Sequence, residues 1–520
     1  MKVEDGKMRN VKRLKRIIYG RTMIVITLLL VQIIILLGVF VWLRKYTVLF
    51  YGGFSFISVV VMIAILNEKT DPSFQISWLI PVLVIPIFGS LFYLFVQFQF
   101  GTKMIHYKLC QKIRETAVYT KQREEVFERL KKENEELSHL VFYMNRYAGY
   151  PIQQNTKVKF FPLGEDKFEE MKIQLKKAKK FIFLEYFIIE HGIMLDSILD
   201  ILEEKAKEGV EVRFLYDGMC TLALMPYSYP KEVEKKGIQC KMFSPIKPLL
   251  STHQNNRDHR KILVIDGKVA FTGGVNLADE YINQKKRFGH WKDTAIMLTG
   301  EAVNNFTIMF LQMWNLDTQK KEEYEKYLFP YQKKVETELG FVLPYGDSPL
   351  DKENVGEQVY LDLLQHAKHY VHIMTPYLIL DNRMLNALKY AAKSGIEVVI
   401  IMPHIPDKKY AYLLARSYYQ ELLEAGVNIF EYTPGFVHAK EFISDGEKAV
   451  VGTINLDFRS LYLHFECAAF LYQNPVIEKM EEDYQYTLQS CQRITIEDCK
   501  RYGILKKYTG QVLRIVAPLM

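Results

Sequence analysis

Two stretches of the chain carry the same reactive residues at the same spacing. His259, Lys261 and Asp266 are followed by Gly273, Gly274 and Asn276, and His438, Lys440 and Asp445 are followed by Gly452, Thr453 and Asn455. Both fit H-x-K-x4-D-x6-G-[GT]-x-N, a pattern that chance would place in roughly one chain of this length in several thousand. Two matches are not coincidence. Imidazole, ammonium and amide groups together suit a phosphate ester. Neutral histidine can attack phosphorus, and its protonated form can give a proton to a leaving alkoxide. In-line displacement needs those roles on opposite sides of phosphorus, which one motif cannot supply and two facing motifs can. Lys261, Lys440, Asn276 and Asn455 would then hold the non-bridging oxygens.

Asp266 and Asp445 complete the catalytic motif by position, yet each fits a hairpin turn better than a reacting group. Each precedes a glycine between two strand-like runs. Histidine and aspartate are also metal ligands. A lysine two places from each histidine is a poor neighbour for a cation, however, and no third ligand clusters nearby. Neither a metal nor another cofactor is expected.

The elements that must position these groups repeat as well. Ala178–Ile189 and Ala367–Leu378 are β-branched and aromatic runs that read as buried strands. Each leads into an amphipathic stretch, Met194–Lys207 and Met384–Lys393. Gly209 and Gly395 suit helix stops, and second strands follow at 209–216 and 395–402. Strand–helix–strand at this length implies a parallel crossover in an α/β layer fold. Two copies about 185 residues apart imply two similar domains. Alternation along a strand would put His259 and Lys261 on one face, and likewise His438 and Lys440. Val269–Thr272 and Ala449–Val451 read as the return strands, ending where Gly273, Gly274 and Gly452 allow close backbone approach.

The N-terminal hundred residues read differently. Thr22–Leu43 has no charge in 22 positions, Tyr46–Leu66 none in 21, and Ser73–Phe100 none in 28. About 20 apolar residues span a bilayer core, so each run is long enough to cross. The first exceeds a signal-peptide core, and no small-residue cleavage site follows it, so it reads as a retained anchor. Three spans set nine basic residues against six, which favours a cytoplasmic tail and an exported C-terminal region; a re-entrant segment would leave both ends in the cytoplasm. Residues 101–150 are charged with mixed signs at helical spacing and read as a solvated or surface-lying helical connector.

Charge narrows the function further. Residues 1–21 hold eight basic and two acidic side chains, +6 of the +8 total, leaving +2 for the other 499 residues. A protein that tracks nucleic acid wants its positive excess on the binding domain, so no nucleic-acid partner is expected. Charged residues at 25% and aromatics at 13% exclude a disordered chain. Six scattered cysteines without a CxxC pair make neither a disulfide scaffold nor a zinc site.

The paired motifs resemble the phospholipase D superfamily, and the chain as a whole is similar to the bacterial cardiolipin synthases. The similarity runs from about residue 46 to the C-terminus. It includes Ile76–Pro81, Pro86–Gly89, Asn256–Gly267, Gly274–Tyr281, Trp291–Thr294, Thr375–Tyr377, Asn455–Ser460 and Ala517–Met520. The resemblance implies an α/β fold of two phospholipase D-like domains, each a sheet flanked by helices, related by a pseudo-twofold and preceded by transmembrane helices. The parts would be a basic tail (1–21), a membrane anchor of two or three helices (22–100), a helical linker (101–150) and the two domains (151–335 and 336–520).

It further implies a multi-pass enzyme of the cell membrane that transfers a phosphatidyl group between two phosphatidylglycerol molecules, giving cardiolipin and glycerol. By position, His259 would be the nucleophile that forms a phosphatidyl-histidine. His438 would be the acid that releases glycerol and then the base that activates the second lipid. Asp293 and Glu466 resemble the family carboxylates that orient the histidines. Asp258 and His464 stand where the family usually has Asn, and Leu378–Leu380 replaces its Phe-Val-Pro; no catalytic group is missing. A phospholipase D, or a transferase with another alcohol acceptor, would use the same residues. A nuclease is disfavoured by the uncharged runs and the near-neutral catalytic region, and a non-catalytic scaffold by two intact motifs.

Overall fold

The computed structural model describes residues 21–44, 47–97, 100–246, 255–318, 322–331, 339–351 and 353–519. Most of the basic tail, residues 1–20, lies outside the described residues. Two sheets organise the catalytic body. The first half contributes β1 (Thr156–Phe161), β2 (Phe181–Tyr186), β3 (Glu211–Asp217), β4 (Gln239–Phe243), β5 (Arg257–Asp258), β6 (Ile262–Ile265), β7 (Val269–Gly273), β8 (His290–Lys292) and β9 (Ala295–Gly300). The second contributes β10 (Phe341–Asp347), β11 (Tyr370–Met374), β12 (Leu378–Ile379), β13 (Glu397–Pro403), β14 (Asn428–Tyr432) and β15 (Gly435–Val437). It continues with β16 (Glu441–Ser444), β17 (Lys448–Gly452), β18 (Leu456–Asp457), β19 (His464–Tyr472) and β20 (Cys491–Arg493).

One sheet runs β1-β9-β7-β6-β2-β3-β4 and the other β10-β19-β17-β16-β11-β13-β14-β20. Strand for strand the order is the same, with β20 added at one edge. In each half two strands pair in parallel across a crossover helix, β2 with β3 around Ile193–Lys207 and β11 with β13 around Asn382–Lys393. Gly209 and Gly395, at φ 90° and 93°, end those helices in the left-handed region. Both motif hairpins are closed by an Asp-Gly pair with positive φ at each residue, 54° and 68° at Asp266–Gly267 and 55° and 66° at Asp445–Gly446. That is the two-residue turn whose twist matches the flanking strands.

The halves share one core. Phe183, Val264 and Leu298 of the first sheet and Val399, Ile443 and Val451 of the second belong to a single buried cluster. Helix Val303–Trp314 packs across onto β10, and helix Val476–Leu488 onto β1, so each half reaches over the other in the same way.

Nearer the N-terminus, helices Arg21–Arg44 and Thr47–Leu66 take up the first two uncharged runs. Among the described residues, no helix is long and apolar enough to cross a membrane. The run at 73–100 does not form one continuous helix. It breaks at Ile85 into Pro72–Val84 and Pro86–Gln97, because Pro86 has no N–H to give and biases the residue before it away from helix. The two pieces fold back on each other. A Cβ on Gly89 would sit 2.2 Å from the Pro81 carbonyl oxygen, and the Trp78 and Tyr93 rings lie 5.4 Å apart. At about 1.5 Å per residue each piece is roughly 20 Å long, short of the ~30 Å hydrocarbon thickness.

The charged stretch at 101–150 also differs from a solvated connector. It forms helices Phe100–Thr116, Glu124–Glu133 and Glu135–Arg146, and Val126, Leu130, Leu137, Val141 and Met144 are buried in the core of the second half. The apolar residues recur every three to four positions, so one stripe buries while the charges face water.

Candidate active site

Two short parallel ladders between the halves build the site. In one, β5 pairs with the start of β19, placing Arg257 opposite His464 and Asp258 opposite Phe465. In the other, β8 pairs with β15, placing Trp291 opposite Phe436 and Lys292 opposite Val437. One residue further along each ladder, His259 meets Glu466 and His438 meets Asp293. The backbone continues the match, with His259 N–H donating to the Phe465 carbonyl at 2.9 Å and His438 N–H to the Lys292 carbonyl at 2.6 Å. Both histidines and their lysines therefore sit just before β6 and β16, not within a strand as alternation suggested. Their backbone is committed to the opposite half.

Each imidazole is held by a carboxylate from the other half. His259 Nδ1 lies 2.9 Å from both Glu466 oxygens, and His438 Nδ1 lies 2.7 Å from Asp293 Oδ2. Asp293 and Glu466 are fully buried. An Nδ1–H given to a carboxylate leaves Nε2 as the free, reactive nitrogen of each ring. Aromatic rings wall both sites, Phe187 at 4.8 Å from the His259 ring and Trp291 and Tyr281 at 5.3 and 5.4 Å from His438. Lys261 and Lys440 are buried and each donates Nζ–H to the carbonyl of its own motif histidine.

The variable motif position explains how the carboxylates are placed. In the first motif Gly274 makes room, since a Cβ there would lie 2.0 Å from Asp293 Oδ1. In the second, Thr453 takes that place and its hydroxyl donates to Glu466, as does Ser460 at 2.7 Å.

The electrostatics favour an anion. Burial first, then Lys261 and Lys440, hold His259 well below its ordinary pKa. Burial and Lys440 bring His438 down to about 4 against the opposing pull of Asp293. Burial lowers Lys261 to about 8 and Lys440 to about 7. Each motif feels the charge of the other, Lys440 acting on His259 and Lys261 on His438, so the two constellations share one electrostatic site. Around pH 7 both imidazoles are neutral, Lys261 is mostly charged, and Lys440 is poised to gain its proton when a negative group enters.

Other expected site residues take different places. Asp266 and Asp445, part of the catalytic motif by position, stand at the hairpin turns that the sequence favoured for them. Asp266 accepts the N–H groups of Lys179, Lys180 and Phe181 at 2.7–2.9 Å, and Asp445 those of Lys368, His369 and Tyr370 at 2.7–2.9 Å. Asn276 donates to the Tyr281 hydroxyl at 2.9 Å and Asn455 to the Ser460 hydroxyl at 3.0 Å, which leaves each amide a second N–H.

A third potential ligand, which the spacing did not cluster with the motif, stands beside it in space. His464 joins His259 and Glu466 with their ligand atoms within 4.8 Å of one another. Arg459 Nε lies 3.2 Å from His464 Nε2, and the buried lysines face the same region, so the charge balance suits an anion better than a cation. Sequence reasoning also missed Lys408, which acts on His259 and lies 5.3 Å from the Tyr377 ring. It missed Lys167 too, wholly buried beneath the first motif, lowered to about 7 by burial and donating to the Val275 carbonyl at 3.2 Å. Neither follows a motif spacing that could have shown it. Thr453 was visible as the one variable place in an otherwise fixed pattern.

The sequence model of the family described as cardiolipin synthase, PLD-like domain, matches residues 171–314 and 360–488. That of the phospholipase D-nuclease N-terminal segment matches 56–97. An uncharacterized protein of Streptococcus mutans is 51% identical over 88% of this chain and 98% of its own. A cardiolipin synthase of Alkalihalophilus pseudofirmus is 36% identical over 90% of this chain and 93% of its own. Among solved structures, phosphatidylserine synthase of Haemophilus influenzae superimposes with a TM-score of 0.56 at 15% identity, covering 74% of this chain and 98% of that one, a likeness of fold. The matched motifs and the coverage agree: the chain belongs to the cardiolipin synthase family of phospholipase D-like proteins.

Proposed function

We propose that the protein is a phosphatidyltransferase that joins two phosphatidylglycerol molecules into cardiolipin and glycerol. The observation that carries this reading is the crossed pair of supported imidazoles, His259 on Glu466 and His438 on Asp293. His259 Nε2 attacks phosphorus and forms an N–P bond. The bond from phosphorus to the glycerol oxygen breaks, and that oxygen takes a proton from His438 Nε2. The bound diester's negative charge raises His438 from its low pKa, so it enters the step as the imidazolium that Asp293 favours. Lys261, Lys440 and the free amide N–H groups of Asn276 and Asn455 offset charge on the non-bridging oxygens. His438, now neutral, removes the hydroxyl proton of a second phosphatidylglycerol, whose oxygen displaces His259. No step calls on a metal. The uncharged runs at 22–43 and 46–66 and the folded-back pair of helices at 72–97 support residence in the cell membrane with several membrane-inserted helices.

Reconstitution in phosphatidylglycerol vesicles with products identified by mass tests this. Cardiolipin and glycerol are expected, unaffected by chelator, with at least about 10³-fold loss in His259→Ala or His438→Ala. Near-normal turnover in either variant would refute the paired mechanism, and phosphatidic acid as the sole lipid product would make water the acceptor.

A further inference from the structure

The helix Ile504–Val516 carries most of its apolar residues on its outer side. Gly510, Leu513, Lys507 and Arg514 face the body, Leu513 packing on the core of the second half. Gly510 is buried, with room for no Cβ (2.7 Å from the Leu413 carbonyl oxygen), Lys507 Nζ donates to Gln420 at 3.0 Å, and the Arg514 guanidinium lies 4.1 Å from the Tyr418 ring. Its apolar side faces outward. Leu505, Tyr508 and Val512 are 78%, 60% and 61% exposed, and Ile504, Ile515 and Val516 widen the same stripe. At 100° per residue, 505, 508, 512 and 516 fall within a narrow arc. A row of bare side chains of this kind marks a surface that meets something.

We propose that this stripe lies in the surface of an anionic lipid bilayer. Three observations select lipid over a protein partner. The helix is continuous with another apolar surface: the Ser77 hydroxyl donates to the Ile515 carbonyl at 2.6 Å, and Leu519 packs on the cluster around Trp78 and Tyr93. The helices at 72–97 in turn expose Ile76, Leu83, Val84 and Ile85. The charge fits, since the helix carries Lys506, Lys507 and Arg514 and no acid. Lys506, exposed beside the stripe, can lay its stem along it and carry its ammonium group to headgroup phosphates. The location fits as well. Phe74, at the start of the same helical pair, packs edge-on against Phe458 at 5.7 Å and Tyr462 at 5.5 Å, in the segment that follows Asn455. The C-terminal helix thus seats the active-site wall on the leaflet and keeps the helical pair against it. The stripe is independent of which alcohol accepts the phosphatidyl group, so its failure and that of the transfer reaction are separate results.

The test places a fluorophore on an introduced cysteine, Leu505→Cys or Val512→Cys, in the full chain with the partly exposed Cys110, Cys491 and Cys499 changed to serine. Lys235→Cys, exposed on the first half, is the reference. In vesicles of phosphatidylglycerol and phosphatidylcholine, nitroxide-bearing lipid is expected to quench both stripe positions at least about threefold more than the reference, and aqueous iodide correspondingly less. Equal iodide access at all three sites would overturn the proposal. So would protection that appears in detergent without bilayer and grows with protein concentration, which would make the occupant a second copy of the chain.

Discussion

At the scale of residues, the candidate site pairs two neutral imidazoles with two buried lysines whose charge an anion would complete. Lys440 at about 7 and Lys261 at about 8 lose charge over the range in which the enzyme would work, because burial costs the ammonium its hydration. A bound phosphodiester restores that charge. Affinity for a non-hydrolysable phosphodiester analogue is therefore expected to rise roughly tenfold or more as pH falls from about 9 to about 6, since protonation below each lysine pKa strengthens the grip. An affinity flat across that window, measured by titration, would contradict the electrostatic picture. The histidines, lysines, Asp293 and Glu466 could all be read from the chain, because spacing and resemblance report chemical identity. Lys408 and Lys167 could not, and His464 showed only as a departure from the family pattern. The two lysines come from segments without a shared pattern, and only folding brings them to His259 and Lys261.

Among elements, the motif's fixed and variable positions divide into those that hold strands and those that hold carboxylates. Asp445 ties three backbone N–H groups where β11 begins. Asp445→Ala is expected to destabilise the fold by about 1–3 kcal/mol while the folded enzyme keeps its kcat. Lost turnover with an unchanged melting transition would return Asp445 to the chemistry. Gly274 has the opposite character. Gly274→Ala drives a methyl into Asp293 and should cost roughly 10²–10⁴ in kcat with little change in melting, as removing the partner of a catalytic histidine does. Full activity there would mean that Asp293 can move and still serve. The strand–helix–strand repeat, its glycine stops and both Asp-Gly hairpins were legible because local propensity and tertiary structure agree. The strand assignment of His259 and His438 was not, since their backbone pairs with Phe465 of β19 and Lys292 of β8, far away in the chain. The break at Ile85 was written in Pro86, but an uncharged run hides a turn when composition alone is weighed.

Across the whole molecule, the two halves are interdependent at the reacting atoms. Identical strand order makes them repeats, yet neither contains a complete site, because the carboxylate for each imidazole belongs to the other. The crossed ladders fix this by register, and a shared core keeps the ladders aligned. Duplication was plain in the sequence; the exchange of partners between copies was not, since register is a property of the assembled sheets. In the proposed mechanism the exchange would let otherwise equivalent histidines take different parts, one bonding to phosphorus and one moving protons. The most direct test uses His438→Ala and a phosphatidyl ester of p-nitrophenol, whose leaving group needs no proton from an acid. The expected result is a single burst of about one nitrophenolate per enzyme, after which a peptide containing His259 carries the mass of a phosphatidyl group. Continued turnover without any adduct, or an adduct on a residue other than His259, would contradict it.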